Sequence, residues 1–140
     1  MALNIQYGVS TWLWTSPFDV AAIDVLLPKI SDMGFDVVEI AVEDPALIDV
    51  SKIKKALAAN GLKAVVCGAF GPNRDLTSDD ASLQKNSLEY IESCLDICAG
   101  LETDFFGGPM YSAVGKARML PQDLRKKEWE LAVENLHKVS

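Results

Sequence analysis

Histidine is almost missing from this chain. Its one copy, His137, falls in the last predicted helix, far from any predicted strand end. That scarcity closes the commonest route to a metal centre, because no carboxylate and histidine set with metal-ligand character can be assembled at the predicted loops. Phosphate-cradling signatures are missing as well: there is no G-x-G-x-x-G after the first strand and no G-x-x-x-x-G-K-[ST] anywhere, which argues against dinucleotide and Walker-type binding. No long basic stretch is present. With 13 basic against 20 acidic residues and a formal charge of −7, neither nucleic acid nor an anionic membrane is expected as a partner. No apolar run approaches membrane-spanning length, and Met1-Ala2-Leu3-Asn4-Ile5 shows no positive region ahead of an apolar core, so a soluble, cytoplasmic protein is expected. Cysteine is sparse and odd in number. Cys67 lies in an apolar strand, while Cys94 and Cys98 are four apart on a predicted helix, a pattern of reduced thiols rather than a disulfide framework.

What the chain does hold is apolar sequence in short, regular pulses. Hydrophobic residues make up 49% of 140, enough for one core, and residues 1–140 are read as a single (βα)4 domain. Residues 5–10 form a first strand that empties into an aromatic loop, Thr11-Trp12-Leu13-Trp14. Ile23, Leu26, Leu27, Ile30 and Met33 then recur at helical spacing, with Gly34 where a left-handed cap belongs. Residues 35–42 are nearly continuous apolar sequence broken by Asp36 and Glu39, as in a parallel strand covered on both faces. Asp49 can cap a helix through Ile53, Ala56 and Leu57 that ends at Asn60-Gly61 and feeds a third strand over residues 62–69. Ser78 can cap a long helix with Leu88, Ile91, Leu95 and Cys98 on its apolar face and a stop at Gly100. A fourth strand spans 104–108, and an amphipathic helix over 121–139 carries Leu124, Leu131, Leu136 and Val139 with Trp129 on its flank. Glycine followed by an apolar residue precedes three of these strands, at Gly34, Gly61 and Gly100, as a weak internal repeat. Strand, loop and helix repeated four times implies right-handed parallel crossovers, in either a doubly wound sheet or part of a closed barrel.

In both architectures reactive groups gather at the carboxyl ends of the strands. That selects Trp12 and Trp14 after the first strand, Glu39 and Glu43 around the second, Cys67 near the end of the third and residues 107–111 after the fourth. The tryptophan faces could stack on the CH surface of a sugar or act as lids on the domain's own core. Glu39 alternates with Val38 and Ile40, so its carboxylate either faces a ligand or pairs with a Lys or Arg of a neighbouring strand. Cys67 has only Lys63, at the far end of its strand, to lower its pKa, and no catalytic role is assigned to it. Gly107-Gly108 either lets a ligand or another backbone approach closely or only eases crowding or a bulge. Lys116 and Arg118 could take an anionic group of a substrate, but on an exposed loop they are read as solvated surface.

Taken together, Gly8-Val9-Ser10-Thr11-Trp12-Leu13-Trp14, Gly34-Phe35-Asp36-Val37-Val38-Glu39-Ile40, Gly61-Leu62-Lys63-Ala64-Val65-Val66-Cys67 and Gly108-Pro109-Met110-Tyr111-Ser112 resemble the sugar phosphate isomerase/epimerase family. The resemblance is greatest to ketose 3-epimerases of the D-tagatose and D-psicose (allulose) type, which share the xylose isomerase-like TIM barrel, and it runs over essentially the whole chain in order. It implies an α/β fold that is the (βα)4 half of a (β/α)8 barrel, and a ketose sugar as ligand. In that family a divalent metal, Mn²⁺, Co²⁺ or Mg²⁺, and two glutamates move a proton at C3 through an enediolate. Metal ligands and both glutamates sit on strands five to eight, and this chain ends with its fourth helix. The resemblance therefore carries over substrate-binding positions alone, Trp14, Cys67, Gly108, Glu39 and Trp12, with no catalytic residue, no metal ligand and no cofactor bound by this chain alone.

Three readings follow. One is the sugar-binding half of a metal-dependent epimerase, inactive without a complementing C-terminal half. Another is a non-catalytic half-barrel that closes by homo-oligomerising, since unpaired strand edges and an apolar inner face favour association. The third is a flavodoxin-like binding domain.

Overall fold

A computed structural model describes residues 5–140 of the chain. The first four residues, on which part of the reading of the N-terminus rests, lie outside the described residues. In chain order the elements are β1 (Gly8–Ser10), α1 (Val20–Asp32), β2 (Val37–Val42), α2 (Val50–Asn60), β3 (Lys63–Gly68), α3 (Ala81–Leu101), β4 (Phe106–Gly107) and α4 (Gln122–Leu136), with short 3-10 turns at Thr11–Leu13 and Pro45–Leu47. All eight expected elements are present. The two outer strands are shorter than their apolar runs.

Local chemistry accounts for most boundaries. Asp19 opens α1 by accepting from the N–H groups of Ala21 and Ala22, and Gly34 beyond its end takes the left-handed conformation at φ 84°. Asp49 opens α2 by accepting from the Lys52 N–H at 2.8 Å, and Gly61 closes it at φ 64°. Because that carboxylate satisfies a donor with no partner inside the helix, Asp49→Ala is expected to lower stability by about 1 kcal/mol in a urea melt. Two expectations fail on α3. Asp80, not Ser78, sits at its start, accepting from the Ser82 N–H at 2.8 Å; the Ser78 hydroxyl is turned to the Asp80 N–H instead. The helix also runs through Gly100 to Leu101, and Glu102 takes the left-handed conformation at φ 57°. Gly100 is small for another reason: a Cβ there would lie 2.6 Å from Cγ1 of Val50 on α2. The apolar face of α3 is also rotated from the one expected. Tyr90, Ile91, Cys94, Ile97, Cys98 and Leu101 are buried, and Leu95 is exposed.

The strands form one sheet in the order β1-β2-β3-β4, with β1 parallel to β2 and β3 parallel to β4. This order decides between the two architectures. A doubly wound sheet reverses direction after its first strands, as in the flavodoxin-like order 2-1-3-4-5, whereas a barrel adds each new strand on the same side. Nothing reverses here. The flavodoxin-like reading is therefore set aside, and the fold is the α/β (βα)4 arrangement of a half barrel.

Contacts divide the chain into two compact units. The first runs to Cys67 and resumes over Cys94–Gly107; the second comprises Gly68–Ser93 and Gly108–Ser140. In the first unit Val38, Ile40 and Val42 of β2, Ile23, Leu27 and Ile30 of α1 and Ile53 of α2 are all fully buried. Burial of each such side chain contributes about 1.5–3 kcal/mol. The opposite face of β2 is less closed: Val37 and Glu39 are half-buried, and the expected cover on both faces is complete only at Ala41, which is fully buried.

In the second unit Phe70 meets Tyr90 edge-on at 5.3 Å, and the Arg74 guanidinium lies 3.6 Å from the centre of the Tyr90 ring. The inward stripe of α4 is Glu128, Leu131, Ala132 and Asn135, at helical spacing. Asn135 is fully buried and donates to the Leu76 carbonyl at 2.9 Å, while Leu124 and Trp129 are exposed. The expected leucine face of α4 is thus only partly used. Among the described residues no helix is long and apolar enough to cross a membrane.

Candidate functional site

Register and pleat place the first candidates. Gly8 pairs with Val37 and Ser10 with Glu39. Since Val38, Ile40 and Val42 point into the buried core, Val37 and Glu39 stand on the other face. There Gly8, Val9, Ser10, Val37, Glu39 and Val65 line an open concavity of about 390 Å³. Of the two alternatives for Glu39, an ion pair with a neighbouring strand is not what is found: among the described residues it meets no Lys or Arg. Its electrostatic neighbour is Cys67. Burial first, and the Glu39 charge second, push the Cys67 thiol above its ordinary value. At neutral pH the thiol is protonated, which makes it a small, uncharged wall rather than a nucleophile. Cys67, Cys94 and Cys98 form no disulfide.

The two tryptophans have different settings. The Trp12 indole N–H donates to Glu43 Oε1 at 2.7 Å, and the Ser16 hydroxyl donates to the same oxygen at 2.7 Å. One carboxylate oxygen thus holds both ends of the aromatic loop to the end of β2. Just below, the buried Thr11 hydroxyl accepts from the Ala41 N–H at 3.1 Å. Trp12 keeps 38% of its surface exposed. Trp14 is half-buried, and the Lys29 ammonium of α1 lies 5.1 Å from its ring centre. Sequence reasoning placed Glu43 near the strand ends but did not reveal its link to Trp12, because the two residues are 31 positions apart.

Gly108, in the second unit, has φ 131° and a reason to lack a side chain. A Cβ there would lie 2.7 Å from the carbonyl oxygen of Gly68 and 3.2 Å from its nitrogen. Of the two explanations open for this glycine, the close neighbour found is another backbone. Gly107 has nothing within 4 Å of a would-be Cβ.

Lys116 corrects the sequence reading. Far from being solvated, it is 17% exposed, with its ammonium 2.8 Å from Asp75 and 3.3 Å from Glu128, and it donates to the Thr77 hydroxyl at 2.6 Å. Arg118 completes the group with its own pairing to Glu128. Thr77, Asp79, Arg118, Leu120, Leu124, Lys127, Glu128 and Leu131 enclose about 100 Å³ beside it. Besides Lys116 and Arg118, the sequence signal for this centre is a short D-x-T turn, Asp75 to Thr77, whose carboxylate accepts from the Thr77 N–H and hydroxyl.

Comparison with known proteins places the chain. Residues 27–140 match the model of the family described as xylose isomerase-like TIM barrel, and the chain belongs to that family. It is 33% identical over 112 residues to the ketose 3-epimerase of Arthrobacter globiformis, a match spanning 80% of this chain and 39% of that enzyme. It is 27% identical over 113 residues to the L-ribulose 3-epimerase of Methylomonas sp., spanning 81% and 40%. Among solved structures, the D-allulose 3-epimerase from Methylomonas sp. in complex with D-allulose superimposes with a TM-score of 0.82 at 24% identity, over 96% of this chain and 47% of that one, a likeness of fold. The chain spans less than half the length of these relatives.

The divalent ion that the resemblance brings with it does not fit the residues present. Among the described residues no group of three or more His, Cys, Asp or Glu side chains is placed to hold a metal ion.

Proposed function

We propose that this chain is the sugar-binding half of a cytoplasmic, metal-dependent ketose 3-epimerase, inactive by itself and completed by a second half that supplies the metal ligands and the proton-transferring glutamates. The observation that carries the reading is the Glu39 carboxylate on the open face of the sheet, which meets no cation among the described residues and has a protonated Cys67 as its electrostatic neighbour. A carboxylate half-withdrawn from water and lacking a cationic partner is a strong acceptor for sugar hydroxyls. Cys67 offers a neutral surface, and the faces of Trp12 and Trp14 suit the CH side of an open-chain ketose. Gly108 enters as a binding position through the resemblance. Proton transfer at C3 through an enediolate falls to the completing half.

The test is epimerisation of D-fructose, D-tagatose and D-allulose with added Mn²⁺, on this chain alone and mixed with the separately expressed C-terminal half of a related enzyme. Activity in the mixture alone is the expected result. Turnover by this chain alone would overturn the placement of the catalytic groups, and no turnover in either would favour a second reading, a non-catalytic half-barrel that dimerises. The open face at Val37 and Val65 is what favours that alternative, and sedimentation of the chain alone measures it.

A further inference from the structure

We propose that Glu43 is a positioning residue that fixes the face of Trp12 for ketose stacking; this rests on the sugar-binding reading above. The two tryptophans of the aromatic loop are two residues apart and chemically equal in sequence, yet the structure treats them differently. Trp14 has the Lys29 ammonium 5.1 Å from its ring centre. Trp12 is tethered instead by its edge: the indole N–H meets Glu43 Oε1 at 2.7 Å, and the ring remains 38% exposed. An indole held by its one donor cannot swing about χ1 and χ2 without breaking a charge-assisted bond, so the orientation of its face is set before any ligand arrives.

The second bond makes this a device of the whole loop rather than of one side chain. The Ser16 hydroxyl donates to the same Oε1 at 2.7 Å, so residues 12 and 16 are drawn to one point. Below them, the Thr11 hydroxyl takes the Ala41 N–H at 3.1 Å and registers the base of the loop on β2. Glu43 lies one residue past the end of β2 and four residues after Glu39. The loop carrying the stacking face is thereby referenced to the strand carrying the acceptor carboxylate. Preorganisation of this kind strengthens binding by removing the ordering cost of a rotatable aromatic.

The experiment is indole NMR on the ¹⁵N-tryptophan-labelled chain, with Trp12 assigned by its loss in Trp12→Phe, followed by titration with D-allulose. Glu43→Ala is expected to move the Trp12 Nε1–H resonance to the position of a solvent-bonded indole while Trp14 stays in place, and to weaken D-allulose binding by about tenfold. Glu43→Gln keeps an acceptor oxygen of the same reach, and is expected to hold the Trp12 resonance near its original position and affinity within about twofold. A Trp12 resonance unmoved in Glu43→Ala would overturn the clamp alone. One that moves without any change in affinity would overturn the positioning role. Should the unsubstituted chain show no response to D-allulose while its Trp12 resonance still depends on Glu43, the sugar-binding reading itself would fall, and this assignment with it.

Discussion

Gly108→Ala is expected to destabilise the protein by about 3 kcal/mol, combining left-handed backbone strain with a forced contact. Each part has a separate origin in the structure. At φ 131° the backbone is in a region that side chains rarely adopt, and a Cβ would also meet the Gly68 carbonyl oxygen at 2.7 Å. That oxygen belongs to the main chain, so no rotamer change relieves the collision; the backbone of one segment must move. Two neighbouring glycines separate the contributions. Gly115, at φ 87° with nothing within 4 Å, isolates the conformational part, and alanine there is expected to cost about 1 kcal/mol. Gly107, with neither a positive φ nor a neighbour, should tolerate alanine with a change within about 0.5 kcal/mol. Urea melts of the three variants order as Gly108, Gly115, Gly107 if the close approach of the two backbones is real. Equal effects at 108 and 115 would show that the Gly68 contact is not held in solution.

The fold was legible where a local signal had a local cause. Gly34 and Gly61 were read as left-handed caps and adopt φ 84° and 64°. Asp49 was read as a helix cap and accepts the expected N–H. Gly100 shows how the same signal fails: it repeats the glycine-then-apolar pattern, but its smallness answers Val50 of a different helix, a contact no local pattern records. The order of the strands was likewise beyond the sequence, because crossover lengths are alike in a barrel and a doubly wound sheet. At the candidate site, alternation set Glu39 apart from Val38 and Ile40, and the structure has it half-buried where those two are fully buried. The Trp12 to Glu43 bond and the Lys116 to Asp75 pair join residues far apart in the chain, and each partner taken alone reads as an ordinary polar side chain on a loop.

Lys116→Met is expected to cost about 3 kcal/mol at pH 7, far more than a surface lysine would, because it leaves a buried carboxylate without its cation. The Lys116 ammonium lies 2.8 Å from Asp75, whose side chain is 8% exposed. Burial acts to raise the Asp75 carboxyl, but hydrogen bonds from Lys116 and Thr77 and the Lys116 charge outweigh it and hold it below its ordinary value. The sign of the pH dependence follows. A carboxylate with a depressed folded pKa contributes stability that is fully present above its unfolded value and is lost as pH falls through the folded one. In the intact protein that loss therefore comes only below the ordinary aspartate range. With Lys116 gone, burial opposes the charge with less resistance, Asp75 takes up its proton at higher pH, and the gap between variant and intact protein narrows as the solution is acidified. Adding Asp75→Asn to Lys116→Met removes the stranded charge while keeping an acceptor for the Thr77 hydroxyl, and should recover part of the loss. Melts of the three proteins at pH 7 and under acid decide the matter. A single variant that melts within about 0.5 kcal/mol of the intact protein would return Lys116 to the solvated surface its sequence context suggested.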